Sequence, residues 1–292
     1  MCWLCDAKSS LNPPPDHRWS ARRGFLLASG AAVASTLLPT DASAQVDVGN
    51  PSAMRRLVPA PQLESAAAQQ YRQMMQQAQQ RGLLASDQHP QVRQLRQIGQ
   101  RLIPYTPPWN DRARGWNWEI NLIQSDQVNA FVMPGGKIVF YFGILDRLQL
   151  NENEIAMIMG HEMAHALREH ARARLAKTQA TSIGLSLGAQ LLGLGDLGNV
   201  AANLGTQLLT LRFSREDETE ADLVGLELAA RAAFHPQASV TLWEKMTALS
   251  GGANAPSFLS THPSGPNRIR ELQANVPRVM GLYQEAAARR RG

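Results

Sequence analysis

The five residues His161-Glu162-Met163-Ala164-His165 constrain this chain more than any others. Positions four apart share one face of a helix, so both imidazoles can reach one metal ion, with Glu162 beside the coordination position they leave open. Zinc suits these ligands because it accepts nitrogen and oxygen donors in a tetrahedron. With only 7 histidines in the chain, the pattern arises by chance in fewer than about one such sequence in a hundred, so the metal reading outweighs coincidence. The surrounding residues predict the helix that the argument needs. Asn151 with Glu154 three residues on is a capping box, and Ile155, Ile158 and Met159 follow at three- and four-residue steps.

A catalytic zinc needs a third protein ligand and an open site for water. Ser214 followed by Asp217 predicts a second helix, running to about Arg231 and stopped by 232–236. It carries Glu218-Thr219-Glu220-Ala221-Asp222. Glu218 and Asp222 are four apart, so Glu218 can bind the metal while Asp222 accepts the free ring N–H of a liganding histidine. Glu220 is the rival ligand, and spacing alone does not choose between them. In this scheme Glu162 is the general base that takes a proton from a metal-polarised water.

The rest of the chain reads as a mostly helical α+β domain with a small antiparallel sheet beside the motif helix. Helices are expected over 62–81 and 90–102. Trp118 to Ile123 alternates as a strand. Asn129 to Met133, the turn Pro134-Gly135-Gly136, and Lys137 to Phe142 read as a hairpin. Residues 178–211 carry a single charge, Asp196, but also many polar side chains. The expectation is a helical hairpin packed on the domain, with peripheral membrane contact as the alternative. No internal repeat is visible.

The N-terminus has the organisation of an export signal. A basic region is followed by an apolar stretch from Gly24 to Leu38 and then by Ala42-Ser43-Ala44, a small-residue cleavage site. Ala21-Arg22-Arg23-Gly24-Phe25-Leu26 is similar to the twin-arginine export motif. The expected organisation is a cleavable twin-arginine signal peptide over 1–44, a flexible arm over 45–61 and one domain over 62–292, located in the periplasm. Cys2 and Cys5 both precede the cut, so the mature chain would hold no disulfide. The net charge of +5 is spread along the chain apart from Arg289 to Arg291, which argues against nucleic-acid binding.

Three motifs together resemble a known family. Ser214-Arg215-x-x-Glu218-x-x-Ala221-Asp222-x-x-Gly225, following H-E-x-x-H, is similar to the zinc metallopeptidases that include the heat-shock protease HtpX and the CaaX prenyl proteases. Asn129-Ala130-Phe131-Val132-Met133-Pro134-Gly135-Gly136 resembles an element that precedes the active-site helix in that family. Thr261-His262-Pro263-Ser264, with Arg268-Ile269 after it, resembles another. The resemblance covers roughly 62–272 and is nearest to an exported, periplasmic branch. It implies a zincin-like fold, one Zn2+ per chain, and Glu218 rather than Glu220 as third ligand to His161 and His165. It also implies an endopeptidase acting on unfolded or misassembled envelope proteins. Asn129, Ala130, Phe131 and Val132 would take substrate as an added strand. His262 would donate to the oxyanion or act as a blocking fourth ligand, and Arg215 would pair with acidic neighbours near the site. His170 is expected at the surface and His235 as a helix cap. The competing function is a metal-stabilised assembly or binding factor with little turnover, for which a base such as Glu162 is unnecessary.

Overall fold

The computed structural model divides the chain into two units, residues 1–40 and 41–292. It describes residues 46–181, 208, 211–250, 256–263 and 267–291, all within the second unit. The expected signal peptide and most of the 178–211 segment therefore lie outside the described residues. Among the described residues no helix is long and apolar enough to cross a membrane.

In chain order the helices are α1 Ala60–Gln80, α2 Pro90–Leu102, α3 Phe142–Arg147, α4 Glu152–Leu167, α5 His170–Thr181, α6 Arg215–Arg231, α7 Ala238–Ser250, α8 Phe258–Thr261 and α9 Arg268–Arg291. The strands are β1 Glu119–Ile123, β2 Ala130–Met133 and β3 Lys137–Tyr141. This is the expected mostly helical α+β fold with one small sheet. The sheet itself is mixed: the β2–β3 hairpin is antiparallel, but β1 lies parallel to β3, in the order β1-β3-β2. The parallel β1–β3 pairing corrects the expectation of an antiparallel sheet, because alternation marks a strand without fixing its direction. The hairpin turns through Gly135 and Gly136, at φ 84° and 78°, a left-handed backbone that glycine adopts without a Cβ clash.

α4 is the centre of the molecule, buried from Glu154 to Leu167. Its N-terminus is closed by the expected capping box: Asn151 Oδ1 accepts from Glu154 N–H at 3.1 Å, and Glu154 Oε2 accepts from Asn151 N–H at 2.9 Å. Ser214 and Asp217 close α6 in the same way. α4 and α6 approach through two glycines. A Cβ on Gly225 would lie 2.6 Å from His161 N, and one on Gly160 would lie 2.8 Å from Gly225 O. Only glycine at both places allows backbones this close, and the contact is one residue from the first histidine of the motif. α2, the sheet, α7 and α9 complete one continuous apolar core around this pair.

Residues 46–59, expected as a loose arm, lie against the domain. Val46 and Val58 are buried, Ala53–Leu57 forms a 3-10 turn, and Val46 N–H donates to Glu227 Oε2 at 3.0 Å. Isolated valines without periodicity gave no sign of this packing in the sequence.

Candidate metal centre

Four side chains converge between α4, α6 and the turn after α8. His161, His165, Glu218 and His262 each direct a donor atom into one buried space, all within 4.8 Å of one another. His161 Nε2 and His165 Nε2 are 3.0 Å apart. Glu218 Oε2 is 3.6 Å from His161 Nε2, and its Oε1 is 3.4 Å from His165 Nε2. The i, i+4 spacing on α4 supplies the two imidazoles, and the glycine contact brings the first turn of α6 across to meet them.

His262 follows α8. Phe258 N–H donates to Val128 O at 3.0 Å, and Phe213 N–H to Thr261 O at 3.1 Å, so backbone bonds fix this turn over the site. The His262 ring stacks on Phe258 with centroids 4.2 Å apart. Its Nδ1 lies 3.2 Å from Phe258 O. Thr261 Oγ1 lies nearer to the same Nδ1, at 2.9 Å, and Nε2 is the ring nitrogen that faces the cluster. Nε2 also lies 3.5 Å from Glu162 Oε1.

Burial is the first cause of every shifted pKa here. It lowers His161, His165 and His262 well below the ordinary histidine value, and the Arg268 charge adds to this for each. The rings are therefore neutral at pH 7, the state in which a nitrogen can bind metal. Burial and the adjacent Glu218 push the Glu162 carboxyl well above the usual range, against smaller opposing effects of the Val132 backbone and Arg268. Glu218 is raised by burial and held down in part by His262 and Arg268.

A second layer backs the first. His161 Nδ1–H donates to Asp222 Oδ1 at 3.0 Å, as the spacing of Glu218 and Asp222 suggested. Arg268, at the start of α9, is buried and grips Asp222 through Nε and Nη2. Its Nη1 lies 2.7 Å from Glu218 Oε2 as an ion pair, and its guanidinium covers the Trp243 ring at 3.6 Å. The sequence had marked Arg268 only as part of a motif. The arginine expected here, Arg215, is exposed and makes no ion pair among the described residues, because the first turn of α6 points it to solvent. His170, expected at the surface, is 3% exposed and touches His165. Glu220 faces away from the cluster and pairs with Arg168 and His170. His235, expected to cap a helix end, lies between α6 and α7, where its Nδ1 accepts from Gln237 N–H at 3.2 Å.

Asn129 leads into β2, which holds Ala130, Phe131 and Val132 and, among the described residues, pairs on one side only, with β3. Its other edge runs beside α4. A mainly apolar cleft lined by Leu63, Trp116, Val132, Pro134, His165 and Phe213 opens next to the cluster.

The sequence profile described as "Peptidase family M48" matches residues 90–276. The chain belongs to peptidase family M48. It is 42% identical over 162 residues to the mitochondrial metalloendopeptidase OMA1 of Schizosaccharomyces pombe, covering 55% of this chain and 47% of the relative. Against the protein of the same name in Saccharomyces cerevisiae the identity is 33% over 211 residues, or 68% of this chain and 60% of the relative. The beta-barrel assembly-enhancing protease of Escherichia coli is 33% identical over 171 residues, covering 54% of this chain and 35% of the relative. The M48 chain thus spans about a third to three fifths of the length of these relatives.

The cofactor of this M48 chain is zinc, and the donor set fits it. Tetrahedral donors about 2.0–2.1 Å from zinc stand about 3.4 Å apart, close to the 3.0, 3.4 and 3.6 Å found among His161, His165 and Glu218. Glu162 Oε1, Glu218 Oε1 and His262 Nε2 are buried without a hydrogen-bond partner. Such groups cost about 1–3 kcal/mol each when left unsatisfied, so their convergence on one space favours a cation there.

Proposed function

We propose that the chain is a zinc-dependent metalloendopeptidase in which His161, His165 and Glu218 hold the metal and Glu162 is the general base. The observation that carries this reading is the buried Glu162 carboxylate, its Oε1 without a hydrogen-bond partner, standing against a cluster of neutral imidazoles and a second carboxylate. A structural metal site has no use for such a group. Bound zinc supplies Lewis acidity, polarising the attacking water and the scissile carbonyl. Glu162, with its proton affinity raised by burial, takes the proton of that water and returns it to the leaving amine. Asp222 and Arg268 hold His161 and Glu218 in place. The free edge of β2 receives the peptide as an added strand, so that main-chain hydrogen bonds give affinity with little sequence demand.

His262 acts in this scheme as a fourth ligand. Its Nε2 is buried without a hydrogen-bond partner and lies within 4.8 Å of the other three donors, which suits coordination. A four-ligand site leaves no position for water, so this arrangement is a latent one that opens when the His262 turn moves aside. The export features of residues 1–44 support a periplasmic site of action, reached by the twin-arginine route. Misfolded or misassembled envelope proteins are the proposed substrates. The similarity to a beta-barrel assembly-enhancing protease supports that choice.

Glu162→Gln tests the base against the assembly-factor alternative. Cleavage of an unfolded protein should fall at least about 100-fold while zinc is retained. Undiminished cleavage would mean that Glu162 is not the base.

A further inference from the structure

We propose that His170, backed by Glu220 and Arg168, is a positioning residue that sets the tautomer and orientation of the zinc ligand His165. The inference rests on the zinc-site reading above and assigns a role to side chains outside it.

His170 Nδ1 lies 3.0 Å from His165 Nδ1, and His170 Nε2 lies 3.3 Å from Glu220 Oε2. Glu220 Oε2 also accepts from Arg168 Nε at 2.8 Å, and Arg168 Nη2 donates to Gly49 O at 2.9 Å. Zinc on His165 Nε2 sets the order of protons along this chain. With the Nε2 lone pair turned to the metal, 3.0 Å from His161 Nε2, the His165 proton sits on Nδ1 and is given to His170 Nδ1. The His170 proton then sits on Nε2 and goes to Glu220, whose carboxylate accepts. His161 Nδ1–H is given to Asp222, so its lone pair faces the same point. Two lone pairs at that distance repel unless a cation lies between them. The two imidazoles are thus backed alike: His161 by a carboxylate held by Arg268, and His165 by a carboxylate held by Arg168, with one extra imidazole in between.

The backbone is shaped for this contact. On an unbroken helix a residue five positions on points about 140° away, so His170 would face away from His165. α4 instead ends at Leu167, and Glu169 takes φ 57°, a left-handed conformation unusual for a residue with a side chain. Its carboxylate is fixed by Arg55 and Arg172, each at 2.6 Å. The kink returns His170 to the back of His165, with ring centroids 5.0 Å apart, while Phe213 stacks on the other side of His165 at 3.9 Å.

Leucine and asparagine share one branched shape, and only asparagine places an acceptor where His170 Nδ1 stands. The test uses full-length wild type, His170→Leu and His170→Asn, titrated with zinc alone against a chelator of known affinity. Melting of each zinc-free protein is measured alongside. His170→Leu should bind zinc about 10–100-fold more weakly than wild type, and His170→Asn should recover most of that loss. The cobalt-loaded leucine variant should also show an altered d–d spectrum. A role in packing alone predicts the reverse order, since leucine suits a buried site better than asparagine. Equal zinc affinity for leucine variant and wild type, or equal losses in both variants, would overturn the proposal. A wild type that binds no zinc would instead overturn the zinc reading on which it stands.

Discussion

Replacing Gly225 with alanine adds one methyl group where α6 meets α4, 2.6 Å from His161 N, 2.7 Å from Gly160 C and 2.9 Å from His161 Cα. Carbon in van der Waals contact sits at about 3.5 Å or more, so the overlap is about 0.9 Å. The atoms struck are backbone, with no rotamer to move away, and the helices must separate by most of that amount. Overpacking of this kind costs about 1–3 kcal/mol, and at about 2–4 °C per kcal/mol for a domain of this size the Tm should fall by several degrees. The effect on metal should be larger than the effect on stability. Ligand distances tolerate about 0.2 Å, and α6 carries both Glu218 and Asp222, so zinc affinity should fall at least about tenfold. Gly281→Ala is the matched control: it lies in α9 with nothing within 4 Å of the added carbon. It should leave zinc binding unchanged and hold or raise Tm, by up to about 1 kcal/mol of helix propensity. Differential scanning calorimetry and a chelator titration read both quantities. If Gly225→Ala melted and bound zinc like Gly281→Ala, the glycine contact would not be what sets the spacing of the site.

His262→Ala should keep zinc and raise the turnover of an unfolded substrate, because it frees the fourth position; a fall of about 100-fold would make His262 an oxyanion donor instead. Changing Arg22 and Arg23 together to lysine should strand precursor in the cytoplasm, seen by fractionation, whereas normal export would point to the general secretory route.

The motif helix and its neighbour were legible in the sequence because local chemistry determines them. Capping boxes at Asn151–Glu154 and Ser214–Asp217 mark both starts, and i, i+4 spacing puts His161 with His165 and Glu218 with Asp222. The choice between Glu218 and Glu220 was not local. Residues two apart on a helix face nearly opposite ways, and only the position of α4 decides which one meets the histidines. His170 was misplaced because helical spacing was carried through a break that Glu169 makes with a positive φ. Arg268 was passed over because its partners, Asp222 and Glu218, lie 46 and 50 positions earlier and come to it only through the packing of α9 on α6. The parallel β1–β3 pairing was hidden for a similar reason: alternation marks a buried face and says nothing of direction.

The most direct test is the zinc content of the protein purified without chelators, beside Glu218→Gln and Glu220→Gln. The two carboxylates are two residues apart on one helix turn, so general damage to α6 would affect both variants alike. About one zinc per chain in wild type, lost in Glu218→Gln and kept in Glu220→Gln, whose amide oxygen can still accept from His170, is the result expected of His161, His165 and Glu218 as ligands. A wild type without zinc, or a Glu218→Gln variant that keeps it, would contradict that ligand set.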